Sequence, residues 1–445
     1  MSCINCFLST NYQHSLKNFA NQSGDRFENS LIIYKNLFLN ELSKLKSPRR
    51  CNCTKHPALS KRLSPQLDWL ECIQHAVLEE SDSLSMIFDQ MLYIYDLFIN
   101  GKHYLATLFI YDLIERFDLK REVDYKELTI FYRGRKKSSS YNPKDIRSYL
   151  QIPFNQRYKV GNQRFSVSGI PITYLGSSTF NVLEELRQGS NNFRNLELAS
   201  FFINPILTDT VNPKNNQLCN IPKIYDLTNY IFELVNHKLL PLFIYGSRID
   251  CRDVKYRPNY LDIQKYIKLY LFTLICTFIR RDDSGVFIEE YVFAQILTES
   301  LKINNYDGIM FPSTRFYNLS IQDSAYWKDE SYMNNLALFT NHDSIDNYDG
   351  NIFNIFEINH IKRRNHRVDL LDIRFNDKYN EVEDKFAKSN KKYKLDVMFR
   401  LQLIKSRYDL INRLRIKNKK YINYDFGNAE LRTMILFLEY LKNFA

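Results

Sequence analysis

Glycine and tryptophan are scarce in this chain: 12 and 2 residues in 445. The glycines form neither G-x-G-x-x-G nor G-x-x-x-x-G-K-[ST], so the common phosphate-cradling loops are excluded as a route to nucleotide binding. The longest apolar run, Leu269 to Ile279, is far short of the ~20 residues a membrane-spanning helix needs. Met1 to Cys6 has no basic stretch leading into an apolar one, so no secretory signal is expected and the chain is read as cytoplasmic. Eight cysteines in so long a chain do not make a disulfide framework. Cys3-x-x-Cys6 and Cys51-x-Cys53, with His56 nearby, invite a zinc reading. The CxC spacing and the long separation argue against it, and no metal is expected.

What is plentiful is aromatic and basic. Tyr and Phe number 31 and 32, and the net charge is +11. Residues 351–445 hold 21 Lys+Arg against 12 Asp+Glu, which leaves +2 for the first 350 residues. Such a tail is either a solvated helical face or a weak, salt-sensitive contact for nucleic acid.

Pattern divides the chain into three. Residues 1–125 read as a helical region: irregular to about 70, then a hairpin. Its first helix carries Leu84, Ile87, Phe88, Met91, Tyr95 and Phe98, and its second Tyr104, Leu108, Tyr111 and Phe117. Residues 126–345 mix strands and helices, with strands expected at 128–132, 172–175, 309–311 and 336–339. Here Ser178-Thr179 caps a helix through Val182, Leu183 and Leu186, and an insert is expected at about 192–283. Residues 346–445 read as basic helices, at 394–417 and about 429–443. The class is α+β.

Three polar residues stand at the ends of apolar stretches in the middle region: Arg133, Glu185 and Ser313. A guanidinium can fork onto a diphosphate, and a carboxylate can stabilise a cationic ribose as a glycosidic bond breaks. Gly134 would let a ligand approach the backbone. Taken singly, each also has a plainer reading: a surface arginine, dipole compensation by Glu184-Glu185 at a helix start, and a loop serine.

Together they resemble the RES domain family, named for its arginine, glutamate and serine. Phe131-Tyr132-Arg133-Gly134-Arg135 is similar to the family's opening motif, and Arg164 to Leu175 to its Arg-Phe-x-x-x-Gly-x-Pro-x-x-Tyr-Leu segment. The family glutamate lies eleven residues after that tyrosine, which selects Glu185 over Glu184. Asp307 to Ser313 is similar to the Asp-Gly-Ile-x-aromatic-x-Ser motif, and Asn335 with Leu338-Phe339 to a downstream pattern.

The resemblance implies an ADP-ribosyltransferase-like mixed sheet, NAD as substrate and a bacterial toxin–antitoxin setting with an antitoxin or inhibitor partner. In that picture Arg133, Glu185 and Ser313 are catalytic. Arg133, Arg164, Tyr174 and Ser313 hold NAD. The reaction is cleavage of the nicotinamide–ribose bond by water or phosphate. The alternatives are ADP-ribosyl transfer to a macromolecule, or an inactive fold that serves as a binding module. The start Cys3-x-x-Cys6-Phe7 also looks like a zinc-knuckle region that precedes some long members, but its second cysteine pair is missing.

Overall fold

A computed structural model describes residues 3–51, 64–137, 142, 144–187, 195–205, 221–228, 260–281, 287–315, 333–342, 347–361, 368–389, 391, 394–417 and 425–444. Cys53 and His56 lie outside the described residues. No helix among those described is long and apolar enough to cross a membrane. The protein is α+β, with a seven-stranded mixed sheet.

The chain forms two compact units, and their bounds differ from the three expected regions. The first unit comprises residues 1–121, 162–167 and 227–304; the second comprises 122–161, 168–226 and 305–445.

The first unit is helical. Helices α1 (Ile4–Phe7), α2 (Thr10–Ser23) and α3 (Phe27–Ser43) occupy the stretch that was expected to be irregular. The irregularity is read from Pro48, Pro57 and Pro65, and all three lie past residue 47. Before them, buried Phe27, Leu31, Tyr34, Phe38 and Leu42 recur every three or four residues, which is a helical stripe. Then come α4 (Ser64–Glu79), α5 (Ser81–Ile99) and α6 (His103–Arg116). The stripe of α5 falls where expected. That of α6 is rotated: Ala106, Thr107, Ile110, Leu113 and Ile114 are buried, while Tyr104 and Leu108 are exposed. Helix α8 (Tyr260–Cys276) and helix α9 (Val292–Ile303) complete the unit. Edge-to-face aromatic pairs tie it together, among them Tyr34–Phe88 at 5.8 Å and Phe27–Phe278 at 5.4 Å.

The second unit is built on strands β1 (Ile130–Lys136), β2 (Thr173–Gly176), β3 (Leu196–Ile203), β4 (Ile224–Asp226), β5 (Gly308–Pro312), β6 (Asn334–Leu338) and β7 (Phe356–His360). Their order is β4-β5-β6-β2-β1-β3-β7, with β4–β5 parallel and the other neighbours antiparallel. Strands β3 and β4 fall where an insert was expected. Strand β3 is buried almost throughout, so it lacks the polar–apolar alternation by which a half-exposed strand is recognised.

Side chains alternate across the sheet. Ile130 and Tyr132 join one core with helix α7 (Thr179–Glu185) and the C-terminal helices α11 (Val368–Ala387), α12 (Lys394–Lys417) and α13 (Asp425–Lys442). Phe131 faces the other core, with Tyr149, Leu150, Leu175, Leu336 and Ile352 from the short helix α10 (Ile352–Ile355). The basic tail is therefore a layer of this unit. Phe375 and Tyr408 stack at 4.0 Å within it, and Leu401, Ile404 and Leu438 are buried.

Helix α7 lies unusually close to the sheet because two glycines admit it. A Cβ on Gly134 would come 2.7 Å from Val182 Cγ1, and one on Gly176 would come 2.9 Å from Val182 Cγ2. The space above Gly134 thus belongs to a helix, not to an approaching ligand.

Candidate active site

The helix that carries Glu185 starts at a conventional cap. Ser178 Oγ accepts the Asn181 N–H at 2.9 Å. The helix ends just past Glu185, where Arg187 takes a left-handed φ of 52°, a place usually given to glycine. Asn181 and Glu185 are four apart and so share one helix face.

That face meets the ends of β5 and β6. Glu185 Oε1 accepts from Ser313 Oγ at 2.5 Å and from Asn335 Nδ2 at 2.7 Å. Asn335 Oδ1 in turn accepts from Asn181 Nδ2 at 2.8 Å, which also donates to the Asn334 carbonyl at 2.8 Å. Arg315 closes the other side: its Nε is 3.9 Å from Glu185 Oε2, and its backbone N–H donates to Ser313 Oγ at 3.3 Å. Glu185 and Ser313 are 128 positions apart in sequence and in direct contact.

Ser313, Asn335 and Asn181 are buried, whereas the Glu185 side chain keeps 35% of its accessible surface. The carboxylate is thus fixed by two uncharged donors on one oxygen, and among the described residues its second oxygen has only a loose cationic contact.

Tyr174 lies on the same sheet face as this cluster. It alternates with Leu175, which faces the opposite core, and Gly176, two residues on, pairs with Asn335.

Arg133 starts from the other face, because it follows Tyr132 along β1. Its Nη1 reaches the Tyr174 carbonyl at 3.4 Å. Strands β1 and β2 share a single register pair, Tyr132↔Gly176, against seven between β1 and β3. Arg133 bridges the place where those two strands part.

Arg164, expected to help hold NAD, is buried against backbone carbonyls and a tyrosine ring. It belongs to the first unit, where its Nη1 donates to the Phe278 carbonyl at 2.8 Å and its guanidinium lies 4.7 Å from the Tyr291 ring centre. Buried Lys17, whose Nζ donates to the Leu274 carbonyl at 2.6 Å, feels its charge. Desolvation first, then Arg164, pushes the Lys17 pKa well below the usual lysine range.

The Asp307-Gly308 pair is structural. The Asp307 carboxylate accepts the Lys223 N–H at 2.7 Å, and a Cβ on Gly308 would sit 2.7 Å from the Ala337 carbonyl. A small cavity lined by Gln151, Thr173, Asp307 and Asp349, among others, lies apart from Glu185, Ser313 and Asn335.

Sequence reasoning missed Asn181 and Arg315. Arg315 stands two positions past Ser313, a signal that was there to be used. Asn181 gave none, since an asparagine in a first helical turn is ordinary.

The neighbouring Glu184 is a different carboxyl: burial raises its pKa first, the Glu185 charge raises it further, and Arg315 opposes both. A carboxyl whose folded pKa is raised contributes stability at low pH that is lost as pH rises through the folded value. Glu184→Gln should therefore stabilise the protein at pH 7, with the gain vanishing below the ordinary carboxylate range. Melting temperatures of both proteins across pH 4 to 8 check this; a constant difference would refute it.

Over 202 residues the chain is 24% identical to "Putative toxin YopC" of Bacillus subtilis (strain 168). The match covers 45% of this chain and 39% of that protein. The similarity is thus to a toxin-named protein of which well under half is spanned. No protein-family model matches the chain, and no solved structure matches it significantly.

Proposed function

We propose that this protein is a toxin-type enzyme that cleaves the nicotinamide–ribose bond of NAD, with a RES-like, ADP-ribosyltransferase-like second unit. One observation carries the reading: Glu185 is held by Ser313 and Asn335, three residues from three separate motifs of the resemblance. The similarity to a toxin-named protein supports the biological setting.

The chemistry follows from the arrangement. Departure of neutral nicotinamide leaves a ribose with oxocarbenium character. A carboxylate fixed by uncharged donors stabilises that cation without having to reorganise. Ser313 and Asn335 take one oxygen, and the other, which has only the loose contact with Arg315 among the described residues, is the one offered to the substrate. In this reading Ser313 and Tyr174 hold the nicotinamide ribose, and Arg133, at the parting of β1 and β2, offers a guanidinium to the diphosphate. Water or phosphate takes the ribosyl group.

The test is purified full-length protein incubated with NAD, with free nicotinamide and the ribosyl product followed by chromatography. ADP-ribose identifies water as acceptor, and its 1″-phosphate identifies phosphate. Label incorporated into protein or nucleic acid would favour transfer to a macromolecule. No nicotinamide release under any of these conditions would leave a binding module.

A further inference from the structure

Three cysteines in the first unit converge. The Cys3 and Cys6 sulfurs are 3.8 Å apart, those of Cys6 and Cys51 are also 3.8 Å apart, and all three lie within 4.8 Å of one another. Cys3 caps α1 and Cys6 lies within it. Cys51 directly follows the short 3-10 turn Pro48–Arg50 that comes after α3. That turn is anchored independently, since Ser47 Oγ donates to Glu71 Oε1 at 2.7 Å.

The distances discriminate between fates for the thiols. A disulfide needs sulfurs about 2 Å apart. Tetrahedral zinc with Zn–S bonds of about 2.3 Å needs sulfurs about 3.8 Å apart. Two of the three separations match the second value. Unrelated thiols have no reason to cluster: Cys72 and Cys276, also free, lie outside the group. Nor does α1 need the sulfurs for packing, because Ile4 and Phe7 supply its buried apolar contacts.

We propose that Cys3, Cys6 and Cys51 bind a structural zinc ion that staples the chain after α3 to the N-terminal helix α1. Sulfur donors select zinc over calcium or magnesium. Binding releases the thiol protons, so affinity falls in acid. Among the described residues no further Cys, His, Asp or Glu joins the three, and the proposal rests on these thiols alone. It concerns the first unit and stands whether or not the protein cleaves NAD.

Elemental analysis of the full chain, purified without a metal-affinity tag, tests it. About one zinc per chain is expected. Cys6→Ser should lower zinc content at least about tenfold, while Cys72→Ser should leave it unchanged. Because Cys6→Ser could fail to fold, the wild-type protein supplies a second readout. Exchange of its metal for cobalt should give the strong visible and near-ultraviolet bands of a tetrahedral thiolate site. A zinc-free wild type whose cobalt spectrum is that of the hydrated ion would overturn the proposal. So would an intact mass two hydrogens short together with a peptide map that places the disulfide among these cysteines, or zinc retained in full by folded Cys6→Ser.

Discussion

Glu185→Gln should slow nicotinamide release from NAD by about 10²–10³-fold. The substitution keeps the shape and keeps an acceptor for Ser313 and Asn335, whose bonds of 2.5 and 2.7 Å define the carboxylate's position. It removes only the charge. If the negative charge stabilises the ribosyl cation, kcat falls and NAD binding changes little. The melting temperature, measured alongside, should stay near that of wild type, because the side chain is partly exposed. Expression of wild type should deplete cellular NAD and arrest growth, and expression of the variant should do neither. Retention of activity within about threefold of wild type would remove Glu185 from the chemistry, since preorganised charge contributes ~3–4 kcal/mol per group.

The second large effect is expected far from that carboxylate in sequence. Glu430, on α13, is fully buried. Its Oε1 accepts the Thr179 backbone N–H at 2.6 Å and the Thr179 hydroxyl at 2.9 Å, and its Oε2 lies 3.7 Å from Arg407 Nη2. Arg407 also donates to the Ser177 carbonyl. A C-terminal carboxylate thus fixes the first residue of the helix that ends at Glu185. Glu430→Ala should cost about 3–5 kcal/mol, because it takes a fully buried carboxylate away from the largely buried Arg407 guanidinium and from two Thr179 donors. The double variant Glu430→Met/Arg407→Met should be less destabilised than Glu430→Ala, since removal of both charges leaves no uncompensated one. Chemical denaturation of the three proteins decides it. A double variant as unstable as Glu430→Ala would mean that packing, not charge, dominates there. NAD cleavage by folded Glu430→Ala should also fall, through the position of α7.

These two predictions draw unequally on what the sequence revealed. The motif-bearing strands β1, β2, β5 and β6 were legible because each is a short apolar run next to a turn residue. The cap at Ser178 was legible because a serine before a helical stripe has one common use. Contact between Glu185 and Ser313 came from resemblance alone; no periodicity joins residues 128 apart. Strand β3 was missed because a strand buried on both faces looks like any apolar run. Helix α3 was missed because prolines further along were given too much weight. Gly134 was read correctly as a place of close approach, but what approaches is Val182. The cysteines were set aside on spacing, yet 45 positions of chain separate Cys6 from Cys51 and their sulfurs are 3.8 Å apart.

The route of the chain constrains how such a protein can be cut or recombined. It passes between the two units after residues 121, 161, 167, 226 and 304, which makes five crossings. The short visit at residues 162–167 brings fully buried Phe165 and the anchored Arg164 into the helical unit. A fragment begun at residue 126, where the motif-bearing region starts in sequence, would keep these two side chains and discard helices α1 to α6. The unit in which those two side chains are buried would then lack six of its helices. Each unit is thus discontinuous in sequence, and no single uninterrupted stretch of gene encodes either one whole.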